Sequence, residues 1–319
     1  MYTFGPVRSR RLGMSLGVDL LTHKTCSLDC IYCECGITTH LSVSRKSFFP
    51  VQKIIEELNT VLAKKPKLDY ITFSGSGEPT LSEDLGIVIK FLKDHYPEYK
   101  IALLTNATLL FDPTVRSNLL PLDLIVPSID AVSFEIFQKI NKPHPILKMD
   151  KMLDGLIQFR KDYKGMFWIE IFIVPGLNDS VDEITKIKEV CLKLSPDKIQ
   201  LNTLDRPCQT KWVRPAFFES LLEIQNLLQP LPVEIISFPQ KINNNANRSL
   251  FGDQTSDDIV AILKRRPSTV EDLSLTLNMK IVHVHKSLKT LEENGLIEHK
   301  SENRGTFYYL TFRAKKNNL

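Results

Sequence analysis

The sequence predicts an α/β protein in two parts: a partial (β/α)6 TIM-like barrel over residues 1–240 and a small winged helix-turn-helix domain over 255–319. Three observations carry this expectation. Apolar, β-branched runs alternate with amphipathic helical stretches up to about residue 240, the signature of parallel βα units. Every one of those runs opens into small, polar or charged residues, as strands do at the rim where a parallel fold builds its site. Beyond an Asn-rich stretch, Lys241–Gln254, the pattern changes to three helices and a hairpin.

The strands follow in order. Leu16–Leu20 leads into a cysteine-rich loop, and Asp69–Ser74 leads into Gly75-Ser76-Gly77-Glu78-Pro79. Lys100–Thr105 ends at Asn106, and Leu122–Ser128 ends at Ile129-Asp130. Trp168–Val174 opens into Pro175-Gly176-Leu177-Asn178, and Lys198–Asn202 closes the six, with Val233–Ser237 as a candidate seventh. Helical periodicity fills Val51–Lys64, Leu81–His95, Asp150–Tyr163, Asp182–Leu194 and Phe217–Leu228. Lys241–Gln254 has neither helical nor strand period and reads as a linker. After it come Ser256–Arg265, Val270–Asn278 and Ile281–Asn294, and Gly295 stops the last helix. Two short apolar runs around Asn303-Arg304-Gly305 make the wing.

Composition narrows the class without naming a function. The chain has 319 residues, of which 43% are hydrophobic and 24% charged, so disorder and a disulfide scaffold are excluded. A net charge of +4 is too small to point to nucleic acid. No apolar run approaches the ~18 residues of a membrane span, and the N-terminus carries arginines without an apolar stretch behind them. The expected location is the cytoplasm, with no membrane partner.

Four of the six cysteines are crowded together: Cys26, Cys30, Cys33 and Cys35. In a reducing compartment such crowding means metal binding or redox chemistry before disulfides. A closed zinc site would favour two well-separated pairs, and a redox CxxC would leave Cys26 without a role. Ferredoxin-type [4Fe–4S] clusters take four cysteines, whereas three leave one iron open to another ligand. Cys35 as a fourth ligand would close the cluster, but the single residue between it and Cys33 leaves little chain to reach the opposite corner.

Cys26-x3-Cys30-x2-Cys33, with Tyr32 just before the last cysteine, resembles the signature of the radical S-adenosylmethionine (SAM) enzymes, and the likeness runs through roughly the first 240 residues. It implies a [4Fe–4S] cluster on Cys26, Cys30 and Cys33 and SAM chelating the open iron. Reductive cleavage of SAM to a 5′-deoxyadenosyl radical would then abstract hydrogen from a substrate, with a low-potential flavodoxin or ferredoxin as electron donor. Gly75, Gly77 and Glu78 stand where the family has Gly-Gly-Glu, which gives the glycines close approach to the methionine moiety and Glu78 the role of acceptor for its ammonium group. Ser76 departs from the stricter form.

Asn106, Ser128 and Asp130 stand where family members contact the ribose and carboxylate of SAM, and Gly176 and Asn202 where they approach adenine. Caps and Asx turns are the alternative, above all for Ser128. Gly-Pro-Val-x-Ser-Arg-Arg-Leu-Gly, Asn-Lys-Pro-His (Asn141–His144) and Leu-Asn-Thr-x-Asp-Arg-Pro are similar to uncharacterised Fe–S oxidoreductases related to the wyosine-base synthases of tRNA. Only Cys191 and Cys208 remain for a second cluster, so that tRNA reaction is not expected.

Cys208, past the sixth strand, is a candidate hydrogen donor, and Cys191 reads as a buried apolar residue. Arg8, Arg10 and Arg11 precede the first strand as candidate ligands for a phosphate or carboxylate of the substrate; a solvated basic stretch is the alternative. The third helix of the winged part carries Lys280, His283, His285, Lys286 and Lys289 but also Glu292 and Glu293, so it is a modest candidate for nucleic acid or peptide. A different class of function is an iron- or redox-responsive regulator, in which Cys35 closes the cluster and the winged helix reads DNA.

Overall fold

The computed structural model describes residues 1–236, 255–277, 279–302, 304–311 and 314. In chain order its first part contains β1 (Thr3–Ser9), β2 (Gly13–Val18), β3 (Thr25–Cys26), β4 (His40–Leu41), α1 (Val51–Leu62), β5 (Tyr70–Phe73), α2 (Leu85–His95) and β6 (Ile101–Thr105). Then follow α3 (Pro113–Leu119), β7 (Leu124–Pro127), α4 (Phe134–Asn141), α5 (Met149–Asp162), β8 (Met166–Ile173), α6 (Val181–Leu194), β9 (Lys198–Thr203), α7 (Phe218–Leu227) and β10 (Val233–Ile235). The remainder is α8 (Thr255–Leu263), α9 (Val270–Leu277), α10 (Ile281–Glu293), β11 (Ile297–Glu302) and β12 (Gly305–Leu310). The expected linker, 241–254, lies outside the described residues.

One sheet organises the first part, in the order β1-β2-β5-β6-β7-β8-β9-β10. β2 through β10 run parallel, and β1 pairs antiparallel with β2. Among the described residues the parallel strands of this sheet therefore number seven, the six expected and the candidate seventh. β6 and β7 are buried almost throughout because helices cover one face of the curved sheet and the barrel interior the other. One apolar core joins Leu16, Phe73, Leu103, Ile125, Ile171 and Leu201 to the helices.

Besides the two-residue strands β3 and β4, the sequence pattern misses β1, α3 and α4. β1 is an edge strand broken by Gly5 and Pro6, with a register shift between Phe4 and Val7, which hides its alternation. α3 and α4 are only two turns long, too short to show a period, although Asp112 caps α3 by accepting from the Thr114 N–H ahead of Pro113.

α8, α9, α10 and the β11–β12 hairpin form the winged helix around a second core of Ile259, Leu273, Val284, Leu288 and Ile297. Its α8 and α9 pack on β1. Charged contacts fasten the two parts: Arg304 of the wing, which also meets Asp272 of α9, pairs with Asp205, Arg206 reaches Asp272 at 3.3 Å and Arg265 reaches Asp19 at 3.4 Å. The winged helix thus sits beside the barrel mouth. Among the described residues no helix is long and apolar enough to cross a membrane.

Candidate active site

The loop between β2 and α1 holds Cys26, Cys30, Cys33 and Cys35, all partly buried. Each of the first three sulfurs receives its own N–H donor. Lys24 Nζ lies 2.8 Å from Cys33 Sγ, Asn106 Nδ2 lies 3.6 Å from Cys26 Sγ and Asn141 Nδ2 lies 3.3 Å from Cys30 Sγ. Cys35 differs: its thiol donates to the Arg265 carbonyl of the winged helix at 2.9 Å. Burial pushes Cys26 up to about 12 and raises Cys30 as well. Cys33 is held down to about 6 by the adjoining Cys35 thiol and, against burial, by the Lys24 ammonium. Lys24 is itself buried and also donates to the Gly36 carbonyl at 2.8 Å.

This donor set fits a thiolate-bound iron–sulfur cluster. N–H groups aimed at sulfur stabilise thiolate and tune such clusters. Among the described residues no three His, Cys, Asp or Glu side chains converge on a single metal ion, and the ligands of a cubane need not, since each binds a different iron.

Gly75 and Gly77 form the turn after β5. Gly75 has φ +144° and lies against Asp19, so a Cβ there would come within 2.4 Å of that carboxylate. A Cβ on Gly77 would lie 1.6 Å from the Thr25 carbonyl oxygen, in the cysteine loop. The turn therefore packs directly under the cysteines, which only glycine permits. Asp19 holds it there by accepting from Ser76 N–H at 3.0 Å and Ser76 Oγ at 2.6 Å.

A cavity of about 380 Å³ opens beside this turn, lined by Tyr32, Cys33, Gly75, Gly77, Ser128 and Asn202 together with Arg10 and Arg11. It thus collects half of the site residues expected from sequence. Asn202 donates to Glu170 at 2.8 Å, and Arg11 pairs with Glu170 at 2.6 Å across the barrel interior. Tyr32 stacks on Phe172 with centroids 3.8 Å apart. Asn106 borders a smaller recess with Cys30, Ser128 and Asp130.

Glu78, Asp130, Gly176, Arg8 and Cys208 stand outside the cavity of about 380 Å³. Glu78 is 2% exposed and does not line the cavity. Its Oε1 accepts from Thr80 N–H, Thr80 Oγ1 and Thr105 Oγ1, and its Oε2 from Asn106 N–H at 2.7 Å, so it braces β5 to β6 instead of presenting an open acceptor. Asp130 accepts from Tyr32 Oη at 2.5 Å, Asn141 Nδ2 at 2.7 Å and Phe172 N–H at 3.0 Å, and so orients the residues around Cys30. Burial raises this carboxyl to about 6 against those hydrogen bonds. Gly176 is an exposed turn residue at φ +78°, outside the cavity. Arg8 is exposed on β1, where strand alternation turns it away from Val7 and the cavity. Cys208 lines a separate groove between the loop after β9 and the wing, with its thiol 3.4 Å from the Thr210 carbonyl.

Sequence reasoning missed Lys24, Asn141 and Asp19 as site residues. Asn141 lay in the Asn-Lys-Pro-His run already singled out, and Lys24 stands two residues before the first cysteine, so proximity was the available signal. Asp19 had none beyond its place at the end of a strand.

Fold and cysteine loop define a class: a partial parallel barrel with three N–H-supported thiols on the loop after its first parallel strand. The family model described as "Radical SAM superfamily" matches residues 20–187, and that described as "Winged helix DNA-binding domain" matches 257–314. The chain belongs to the radical SAM superfamily, a superfamily of enzymes, and within it to the UPF0026 proteins. It is 33% identical to a UPF0026 protein of Methanocaldococcus jannaschii over 99% of this chain and 98% of that one. It is also 36% identical over 297 residues to a protein named GTPase Obg of Brachyspira hyodysenteriae. That match covers 92% of this chain but only 43% of the relative, so the chain spans less than half of that protein's length. A radical SAM methyltransferase from Sphaerobacter thermophilus shares the fold, with a TM-score of 0.53 at 15% identity over 69% of this chain and 65% of that one.

Proposed function

We propose that this protein is a radical SAM enzyme in which Cys26, Cys30 and Cys33 hold a [4Fe–4S] cluster and SAM occupies its open iron. The observation that carries the reading is the split among the four thiols: three accept an N–H each, while Cys35 lies with its sulfur 2.9 Å from the Arg265 carbonyl of the winged helix. When bound, cluster and SAM supply one-electron cleavage of SAM and abstraction of a hydrogen atom from substrate, with the electron coming from a low-potential flavodoxin or ferredoxin.

The chain's own residues position and protect. Lys24, Asn106 and Asn141 fix the three sulfurs and offset their charge. Gly75 and Gly77 leave backbone rather than side chain beside the cysteine loop, and Glu78 and Asp130 keep the strand ends in place from beneath. Tyr32 on Phe172 closes the cavity with an apolar wall that excludes water from a reactive centre. Ser128 and Asn202 offer polar groups within the cavity for SAM, and Arg10 and Arg11 offer cations for substrate.

The test is anaerobic reconstitution with iron and sulfide, then dithionite in the presence of SAM, with methionine and 5′-deoxyadenosine followed by chromatography. Wild-type protein is expected to form both products and Cys30→Ala neither. Assembly of a cluster that neither binds nor cleaves SAM would overturn the reading.

A further inference from the structure

The cavity beside the cysteine loop has a wall that the barrel does not provide. Ile262, Arg265 and Arg266, at the end of α8 in the winged helix, line it together with Cys33 and Gly75. Three of its four arginines have carboxylate partners. Arg11 pairs with Glu170 at 2.6 Å and Arg10 with Asp205 at 3.1 Å. Arg265 pairs with Asp19 at 3.4 Å and lies 4.0 Å over the Phe4 ring. Arg266 is half-buried and makes no side-chain hydrogen bond or ion pair with any described residue.

Burial, more than the charges around it, works against this cation. Burial lowers Arg266 to about 10, and Arg206 and Arg10 press in the same direction against Glu34 and Asp272. Arg10, Arg206, Arg266 and Arg304 face Asp205, Asp272 and Glu34, four guanidinium groups against three carboxylates, which leaves one positive charge over. A half-buried cation whose carboxylate neighbours form no direct ion pair with it is costly unless something else supplies one.

We propose that the winged helix is a wall of the active site and that Arg266, with Arg10 in the same cavity, binds an oxyanion group of the substrate, a carboxylate or a phosphate. This rests on the reading of the cavity as the reaction site of a radical SAM enzyme. A guanidinium suits the task because its planar fork meets two oxygens of such a group at once. Its position is set in advance. Arg265, one residue before it, is tied through its side chain to Asp19, which holds the Gly75–Gly77 turn, and through its carbonyl to the Cys35 thiol. The end of α8 is thus registered on the cysteine loop before substrate arrives, which reduces the ordering cost of binding. The wing's own arginine, Arg304, is by contrast already spent on Asp205 and Asp272.

The test uses the full-length, cluster-free protein under reducing conditions, titrated calorimetrically at constant ionic strength with pyrophosphate and, separately, with malonate. At least one probe is expected to bind, and the stronger of the two identifies the phosphate or the carboxylate class. Arg266→Gln is expected to weaken that binding at least tenfold and Arg266→Lys by less, whereas Lys193→Gln, on the far exposed face of α6, leaves it unchanged. Because the Arg266 side chain supports no hydrogen bond among the described residues, Arg266→Gln is expected to keep the wild-type unfolding temperature; should it not fold, Arg266→Lys still reports. Absence of binding by either probe, or equal binding by wild type and the Arg266 variants, would overturn the proposal. Displacement of the probe by SAM would also overturn it, assigning the site to the carboxylate of SAM itself. SAM cleavage by the wild type is scored independently, so loss of the radical SAM reading and loss of the anion site give different results.

Discussion

Among single residues, Glu78 shows most clearly how burial decides a role. Its carboxylate is surrounded by four donors on Thr80, Thr105 and Asn106 and has almost no access to solvent. Glu78→Ala leaves those groups without an acceptor in a buried place, each costing about 1–3 kcal/mol. The variant is therefore expected to lose at least about 3 kcal/mol of stability in the cluster-free protein, read as a lower urea midpoint. A residue serving only as an open SAM ligand would leave that midpoint where it is. The cysteines are the opposite case. Covalent spacing along one loop determines most of what they do, so Cys26, Cys30 and Cys33 stood out from the sequence. The donors that reach their sulfurs did not, because Asn106 and Asn141 arrive from the ends of β6 and α4.

At the scale of elements, the loop after β9 and the wing meet through charge. Burial alone would raise Asp205, but Arg10, Arg206 and Arg304 outweigh it and hold the carboxyl below the usual Asp range. A depressed carboxyl contributes stability above its unfolded value of about 3.9 and loses it as pH falls through the lower folded value. Asp205→Asn is accordingly expected to destabilise the protein by about 3 kcal/mol near neutral pH, and the difference from wild type to shrink below about pH 4. Thermal unfolding of both proteins between pH 3 and 7 checks the sign. A difference independent of pH would mean that the ion pairs do not carry the contact. β1 belongs to the same scale: Gly5 and Pro6 disguise it in the sequence, yet it is the strand on which α8 and α9 rest.

Over the whole molecule, among the described residues, the main core of the barrel part and the core of the winged helix share no residues. Leu288, 1% exposed in the second, is expected to cost about 2–5 kcal/mol when cut to alanine. Both tryptophans, Trp168 and Trp212, lie in the barrel part. Denaturation of Leu288→Ala followed by far-UV circular dichroism should therefore show an earlier transition for the helices of the winged part, while tryptophan emission keeps the wild-type midpoint. Coincident shifts in both probes would show that the two parts unfold as one cooperative unit.

The sequence by itself determined the alternation of strand and helix, the change of pattern past residue 254 and the three-cysteine loop, because each is written in local periodicity or in spacing along a few residues of chain. Only the tertiary structure decided that Glu78 and Asp130 brace the site from beneath, that Cys208 and Arg8 lie away from it, and that Cys35 binds Arg265. It alone brought Arg266 to the cavity of Cys33. Those facts join residues as far apart as Asp19 and Arg265, and such pairs meet only when helices pack on a sheet and bury their charges against one another.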